Sequence, residues 1–322
     1  MKTKDNLLSL LEAAKGSYVS GEDLSSSLGI SRTAVWKAAS TLREDGYDIL
    51  SAYGKGYCLS SGSDRLSAFA ISQHLQNKVF SITVLPETGS TNNDSKALAE
   101  KGASEFTLVA SEHQNAGKGR LGRSFYSPEG TGIYFSILLR PRMPIGDALY
   151  ITTAAAAATS RAIEDVCGKR TGIKWVNDIF IAGKKVCGIL TEASIDMESG
   201  SLAYAVLGIG INVIEPEGGF PEAISNVAGS VYSSKEYVPG IRSRLLAAVL
   251  DNFYLYYTAF PEKAFLEDYR KRSILIGKVA TVIRGDLQYP AEITGIDDNC
   301  RLLVLREGVP ETLDSGEVSV RL

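Results

Sequence analysis

Histidine is scarce in this chain of 322 residues, with only His74 and His113 present. That argues against a multi-histidine metal site and against histidine-based acid–base machinery. The four cysteines, Cys58, Cys167, Cys187 and Cys300, form no Cys-x-x-Cys pair, which argues against a zinc site and for a reducing compartment. A surplus of one charge is missing too. With 34 Lys and Arg against 37 Asp and Glu the net charge is -3, so any DNA contact must come from a local patch. The nearest approach to a membrane stretch, residues 150–160, is alanine and threonine and too short to span a bilayer. Glu12 interrupts the leucines of the opening segment, so no signal peptide is read there. The expectation is a cytoplasmic chain with no membrane partner. What is present is core material: 44% hydrophobic and 22% charged residues fit a globular protein of two or three domains.

The first sixty residues carry local punctuation. Leu7, Leu8, Leu10, Leu11 and Ala14 recur at helical spacing, and Ser20-Gly-Glu-Asp23 reads as a capping box opening a second helix. Gly29 offers a left-handed stop, Ser31 caps a third helix carrying Val35, Ala38 and Leu42, and Gly46 closes it. Two short runs around Gly54-Lys55-Gly56 then predict a β-hairpin, making a helix-turn-helix with a wing. On a DNA-binding reading, Ser31, Arg32, Thr33 and Lys37 stand at the exposed start of the third helix, and Lys55 at the wing tip near phosphate. A three-helix protein-interaction module remains open, because residues 1–60 hold seven basic and seven acidic side chains. So neutral a domain gains little from counterion release and needs dimerisation to hold a site. Ser61-Gly-Ser-Asp64 is small and polar and reads as a linker.

From Arg65 to about Arg272, β-type runs outnumber helical ones, which predicts an α+β domain with a mixed or antiparallel sheet. Its most informative segment is HQNAGKGRLGRSF at 113–125. Gly117, Gly119 and Gly122 match the dinucleotide-binding pattern, but the run continues into a strand instead of opening a helix, and no Gly-Lys-Ser/Thr ends it. Its distinguishing feature is the interleaving of Lys118, Arg120 and Arg123 with glycine: cations for phosphate or carboxylate, on a backbone free to approach a ligand. A solvated surface loop is the competing reading. Ser90 and Thr91 of Thr88-Gly-Ser-Thr-Asn92 could be helix N-caps, with Thr91 and Asp94 as a capping box. Lys174-Trp-Val-Asn-Asp178 reads as a half-polar strand end. Lys185 follows a turn, and strict alternation would put Lys185, Cys187 and Ile189 on one face, with Gly188 permitting close backbone approach. Gly208-Ile-Gly-Ile-Asn212 puts two glycines into an apolar strand, tolerable where something must pack against backbone.

Taken in order, the segments around GKGRLGRSF, KWVNDIFIAGKKVCGILTEAS and LGIGINV strongly resemble the biotin protein ligases. The N-terminal sixty residues are similar to the winged helix of the bifunctional subgroup, which doubles as the biotin operon repressor, and the last fifty resemble its small SH3-like barrel. The resemblance implies an α+β multidomain fold: a winged helix-turn-helix at 1–64, a ligase domain at 65–272 and an SH3-like β-barrel at 273–322. It implies that biotin and MgATP form biotinoyl-5'-AMP, and that biotin then passes to a lysine of a biotin carboxyl carrier domain. That lysine is the nucleophile, so no triad is required.

By the same resemblance Arg120 and Lys185 are catalytic, offsetting repulsion between the biotin carboxylate and the α-phosphate. Ser90, Thr91, Asn92, Gln114, Gly117, Lys118, Gly188 and Gly208 join them around biotin. Arg123, Phe125, Asn177, Asp178 and Asn212 serve the nucleotide with Arg120 and Lys185, Asp178 supporting magnesium, for which no direct motif stands in the sequence. Lys118 stands where arginine is common, Phe125 where tryptophan is, Val176 where proline is, and Asn299-Cys300 where a turn glycine is. The implied switch is mass action: adenylate retained when carrier is scarce orders the basic loop, promotes a homodimer and places two winged helices on operator DNA. The rival readings are a biotin-sensing regulator without ligase activity, which could dispense with Arg120 and Lys185, and a lipoate or octanoate transferase.

Overall fold

The computed structural model describes residues 3–141, 143–195, 201–234, 236–314 and 318–321. The chain forms two compact units, Met1–Leu75 with Val238–Ala247, and Gln76–Tyr237 with Ala248–Leu322. No helix among the described residues is long and apolar enough to cross a membrane.

The first unit contains α1 (Thr3–Ala13), α2 (Gly21–Leu28), α3 (Arg32–Glu44), the hairpin β1 (Ile49–Ala52) and β2 (Gly56–Leu59), and α4 (Ala68–His74). The local signals act as the sequence predicts: Ser20 and Ser31 accept the amides of Asp23 and Ala34, and Gly29 stops α2 at φ +65°. At Ser20 the hydroxyl also donates to the Asp23 carboxylate at 2.7 Å. Leu7, Leu11, Leu24, Val35, Ala39, Leu42, Ile49 and Leu59 form the core. The 61–64 segment, a linker by composition, is tied down within this unit. Lys15 Nζ donates to the Ser63 carbonyl at 2.6 Å, and the Asp64 carboxylate accepts the Gly240 amide at 2.6 Å and Arg242 Nε at 2.7 Å.

The second unit is built on β3 (Ser81–Thr88), α5 (Thr91–Glu100), β4 (Thr107–Gln114), β5 (Gly132–Leu139), α6 (Ala148–Cys167), β6 (Gly172–Lys174), β7 (Asp178–Ile181), β8 (Lys184–Ile195) and β9 (Leu202–Asn212). The strands form one mixed sheet in the order β3-β4-β5-β9-β8-β7-β6. Only β3 and β4 run parallel, because α5 crosses between them; every other neighbouring pair is antiparallel. All of β5, third in that order, is buried. The small side chains of α6 let almost its whole circumference be enclosed.

After the sheet come α7 (Glu222–Ser225), α8 (Ile241–Thr258), whose start to Ala247 belongs with the first unit, and α9 (Phe265–Lys271). The chain ends in a five-stranded antiparallel sheet ordered β13-β12-β11-β10-β14, from β10 (Val279–Arg284), β11 (Leu287–Ile296), β12 (Leu302–Arg306), β13 (Val309–Leu313) and β14 (Val318–Arg321).

Two expectations fail here. In Lys174-Trp-Val-Asn-Asp178 only Lys174 ends a strand, β6; residues 175–177 are the turn of a hairpin in which Lys174 pairs with Asp178, the first residue of β7. The alternation of Lys185 with Cys187 also fails, because the β7–β8 register slips at Val186: Ile179 pairs with Cys187 but Phe180 with Lys185. Cys187 is wholly enclosed, and burial pushes its thiol up.

Candidate active site

A single pocket in the second unit gathers side chains from β3–α5, β4, the basic loop, the β6–β7 turn, β8 and β9. Its floor is made of glycine. Gly188 on β8 faces Gly210 on β9, and Leu190 faces Gly208 one step along. A Cβ at Gly210 would lie 2.5 Å from the Phe125 ring, and one at Gly188 would lie 3.1 Å from it. Phe125 therefore rests where the sheet has no side chains. A Cβ at Gly208 would lie 2.0 Å from Asn92 Oδ1. The two glycines of the apolar strand each answer to a different neighbour.

One end of the pocket is a neutral hydrogen-bonding wall. The Thr91 amide donates to Gln114 Oε1 at 2.9 Å, and Thr91 Oγ1 lies 2.8 Å from Ser136 Oγ. Ser136 donates to Asn92 Oδ1 at 2.6 Å, and Asn92 Nδ2 donates to Glu192 Oε2 at 2.8 Å. Lys96 pairs with the other Glu192 oxygen. Burial pulls the Glu192 carboxyl upward, but the hydrogen bonds from Lys96 and Asn92 outweigh it and hold the group below its ordinary range. Ser90 occupies the N-cap position of α5 yet its side chain makes no capping bond, and Asp94 accepts from Thr88 Oγ1 at 2.6 Å instead of forming a box with Thr91. The N-cap explanation of this motif thus leaves the buried Ser90 hydroxyl facing the pocket.

The other end is cationic. The basic loop folds back on itself, with the Gly119 amide on the Arg123 carbonyl at 2.7 Å and the Phe125 amide on the Gly117 carbonyl at 2.8 Å. The turn between them runs through Leu121 and Gly122 at φ +55° and +72°. This brings Lys118, Arg120 and Arg123 to the pocket, where Arg120 donates to Asn177 Oδ1 at 3.1 Å. Burial lowers the Arg120 pKa and Arg123 adds to the effect, with Asp178 opposing. Such a cation gains by an incoming anion. Lys185 Nζ lies 2.6 Å from Asp178 Oδ1, an ion pair without hydrogen-bond alignment.

The β6–β7 turn that carries Asn177 and Asp178 is held from outside the sheet. Trp175 Nε1 donates to the Cys300 carbonyl at 3.0 Å, and Tyr269 Oη donates to the Val176 carbonyl at 2.9 Å. Asn177 Nδ2 donates to the Ile189 carbonyl at 2.7 Å, and the Trp175–Val176 peptide is cis. The C-terminal sheet supplies Cys300 from its β11–β12 turn at φ +61°; Tyr150 Oη donates to the neighbouring Asn299 Oδ1 at 3.0 Å.

Of the residues expected around biotin and nucleotide, Ser90, Thr91, Asn92, Gln114, Lys118, Arg120, Arg123, Phe125, Asn177, Asp178, Lys185, Gly188 and Gly208 line this one pocket. Gly117 and Asn212 do not. Gly117 is closed in by the Phe125 carbonyl and Ser127 Oγ, 2.5 and 2.8 Å from where a Cβ would stand, and so shapes the loop. Asn212 Nδ2 donates to the Gly229 carbonyl at 2.9 Å, and Gly229 in turn donates its amide to the Lys185 carbonyl. Sequence reasoning missed Ser136 and Glu192, which hold Asn92, and Trp175, which holds the turn; only the odd tryptophan in a half-polar segment could have signalled them. In the first unit Ser31 spends its hydroxyl on the α3 cap and Arg32 pairs with Glu22 at 2.5 Å, while Thr33, Lys37 and Lys55 are exposed.

Residues 82–212 match the biotin/lipoate A/B protein ligase family, residues 3–58 a helix-turn-helix domain, and residues 275–321 the biotin protein ligase C-terminal domain. The bifunctional ligase/repressor BirA of Bacillus subtilis is 37% identical over 230 residues, 71% of this chain and 70% of that one. The BirA of Escherichia coli is 29% identical over 326 residues, 99% of this chain and 98% of its own. The biotin protein ligase of Aquifex aeolicus, solved in complex with biotin and ATP, superposes with a TM-score of 0.63 at 29% identity, covering 74% of this chain and 98% of that one. The chain belongs to the biotin protein ligase family, among its BirA-type bifunctional ligase/repressors.

Proposed function

We propose that this protein is an ATP-dependent biotin–[acetyl-CoA-carboxylase] ligase that also represses transcription in response to biotin. The observation that carries the ligase reading is the convergence of Arg120 and Lys185, from a loop and a hairpin 65 positions apart in sequence, on one pocket whose far wall is Thr91, Asn92 and Gln114. The neutral wall takes the ureido ring of biotin by hydrogen bonds, leaving the carboxylate at the cationic end. There Arg120, Lys185 and Arg123 offset the repulsion between carboxylate and α-phosphate and stabilise the charge of the transition state. Phe125, seated on bare backbone at Gly188 and Gly210, offers a face to the adenine. Lys118 adds charge to the loop.

Magnesium arriving with ATP neutralises phosphate charge; Asp178 is the lining carboxylate placed to support it, and it holds Lys185 in position meanwhile. Asn177 orients Arg120. Biotinoyl-5'-AMP then yields its acyl group to a carrier lysine, which attacks the mixed anhydride and releases AMP. No side chain of this protein is acylated.

The winged helix at 1–64 carries the repressor role on operator DNA, with the ligase domain at 65–272 and the barrel at 273–322. Thr33, Lys37 and Lys55 are its exposed contacts, with Ser31 and Arg32 anchoring the start of α3. A cytoplasmic homodimer of the adenylate-bound form holds the operator, because one neutral winged helix gains little from phosphate alone.

The test is pyrophosphate release from MgATP on adding biotin, followed by the mass of an added carrier domain. One biotin gained per carrier supports the ligase. Tight biotin binding without release would replace it by a sensor. Lys185→Ala should keep its fold and lose adenylation by at least about a hundredfold, the scale of one transition-state donor; full activity there would sink the catalytic assignment.

A further inference from the structure

The exposed face of α3 is not only polar. Arg32, Thr33, Trp36, Lys37 and Ser40 share one side of the helix, opposite the buried Val35, Ala38, Ala39 and Leu42. In the middle of that stripe Trp36 is 58% exposed, whereas the chain's second tryptophan, Trp175, is buried. The first two polar groups at the helix start are already engaged, Ser31 by the cap and Arg32 by Glu22. The side chains left facing outward at the head of the helix are therefore Thr33, Trp36 and Lys37. A second aromatic, Tyr53, stands fully exposed at the turn of the β1–β2 hairpin beside Lys55.

The unit's charge sharpens the point. Residues 1–60 balance seven cations against seven anions, and Asp64, Arg65, Arg242 and Arg244 bring the whole unit only to ten against eight, so phosphate attraction is modest and base-edge contacts carry a larger share of binding. Lys37 follows the indole on the same exposed face of α3, and Lys55 is exposed on the hairpin, its ammonium 5.9 Å from the Tyr18 ring centre; a cation next to an indole suits a polyanion with an apolar feature between its phosphate rails. In a duplex the apolar feature of the major groove is the 5-methyl group of thymine.

We infer that Trp36 is a sequence-reading residue: α3 lies in the major groove with the indole against thymine methyl groups, Thr33 beside it and Lys37 on the adjoining phosphate. This rests on the operator-binding reading above and adds to it what is read. Selectivity then falls on thymine at a fixed place in each half-site, and it survives salt that weakens phosphate contacts.

The experiment uses the full-length protein with biotin and MgATP, and a duplex selected by it from a random-sequence pool. Each thymine of that duplex is replaced in turn by deoxyuridine, which removes only the methyl group. One or two positions per half-site should lose affinity about five- to tenfold, the lower end of a single base contact. Trp36→Ala should lose a similar factor, keep the same salt dependence and become indifferent to deoxyuridine at those positions, while Trp36→Phe keeps part of the sensitivity. Trp36→Ala with the wild-type deoxyuridine profile would overturn the inference. So would a variant whose DNA loss is matched by a fall in sedimenting mass, which would place a second copy of the chain on the indole. If the wild-type protein selects no duplex at all, the operator-binding reading itself falls, and the inference with it.

Discussion

Gly208→Ala is the most severe small change the pocket can be given. The added methyl would sit 2.0 Å from Asn92 Oδ1. Asn92 cannot step aside freely, because Ser136 donates to that same oxygen at 2.6 Å and its amide is spent on Glu192 at 2.8 Å. Asn92 and Ser136 are both buried. Overpacking of this kind costs about 1–3 kcal/mol, and depriving a buried hydroxyl of its acceptor about as much again. A combined loss of roughly 2–6 kcal/mol corresponds to a melting point lower by about 5–20 °C for a unit of this size. Biotin affinity should fall with it, since Asn92 and Thr91 share the wall. Calorimetry of melting and of biotin binding reads both. The clash is specific, so in an Asn92→Ala background the same glycine change should cost less than about 1 kcal/mol, a coupling between touching residues. Unchanged melting and biotin binding in Gly208→Ala, or equal costs in the two backgrounds, would refute the reasoning.

Acid should weaken the same wall. Glu192 is held below its ordinary value of 4.5, so its contribution is complete above that pH and is lost as the pH falls through the lower folded value. Acid melting of Glu192→Gln should therefore show a shallower loss below about pH 4.5 than wild type. Trp175→Phe orphans the Cys300 carbonyl and loosens the turn bearing Asn177; about 1–3 kcal/mol of stability should go. Its KM for ATP should rise more than its KM for biotin in steady-state kinetics.

The parts of the fold with local causes were legible. Caps at Ser20 and Ser31, the stop at Gly29 and the turn at Gly54 are decided by side chains within a few positions, and the structure follows them. The three-part organisation and most of the pocket lining were implied by the resemblance to the biotin protein ligases and not by any local rule. What escaped depends on distant partners. The Lys174–Asp178 segment turns because Trp175 and Val176 are gripped by Cys300 and Tyr269, 125 and 93 positions away. Glu192 meets Asn92 across 100 positions, and nothing beside either residue announces it. The alternation on β8 failed because a bulge is one residue of slack, which period-two reasoning cannot see. Asn212 stands outside the lining of the pocket with its amide on the Gly229 carbonyl, a partner 17 positions away that no local pattern announces.

The bond from Trp175 to Cys300 also sets an order of events during synthesis. A chain leaves the ribosome N-terminus first, and domains fold as they emerge. The hydrophobic cluster of the winged helix lies wholly between Leu7 and Leu59, so that cluster has all its residues after sixty positions, although its unit also takes in Val238–Ala247. The turn presenting Asn177 and Asp178 lacks its outer anchor until the chain has been made past Cys300. A product stalled between Ala247 and Cys300 would therefore carry every residue of the first unit and an unfinished enzyme. The full-length protein avoids that mismatch by making its last strands a structural requirement of its chemistry.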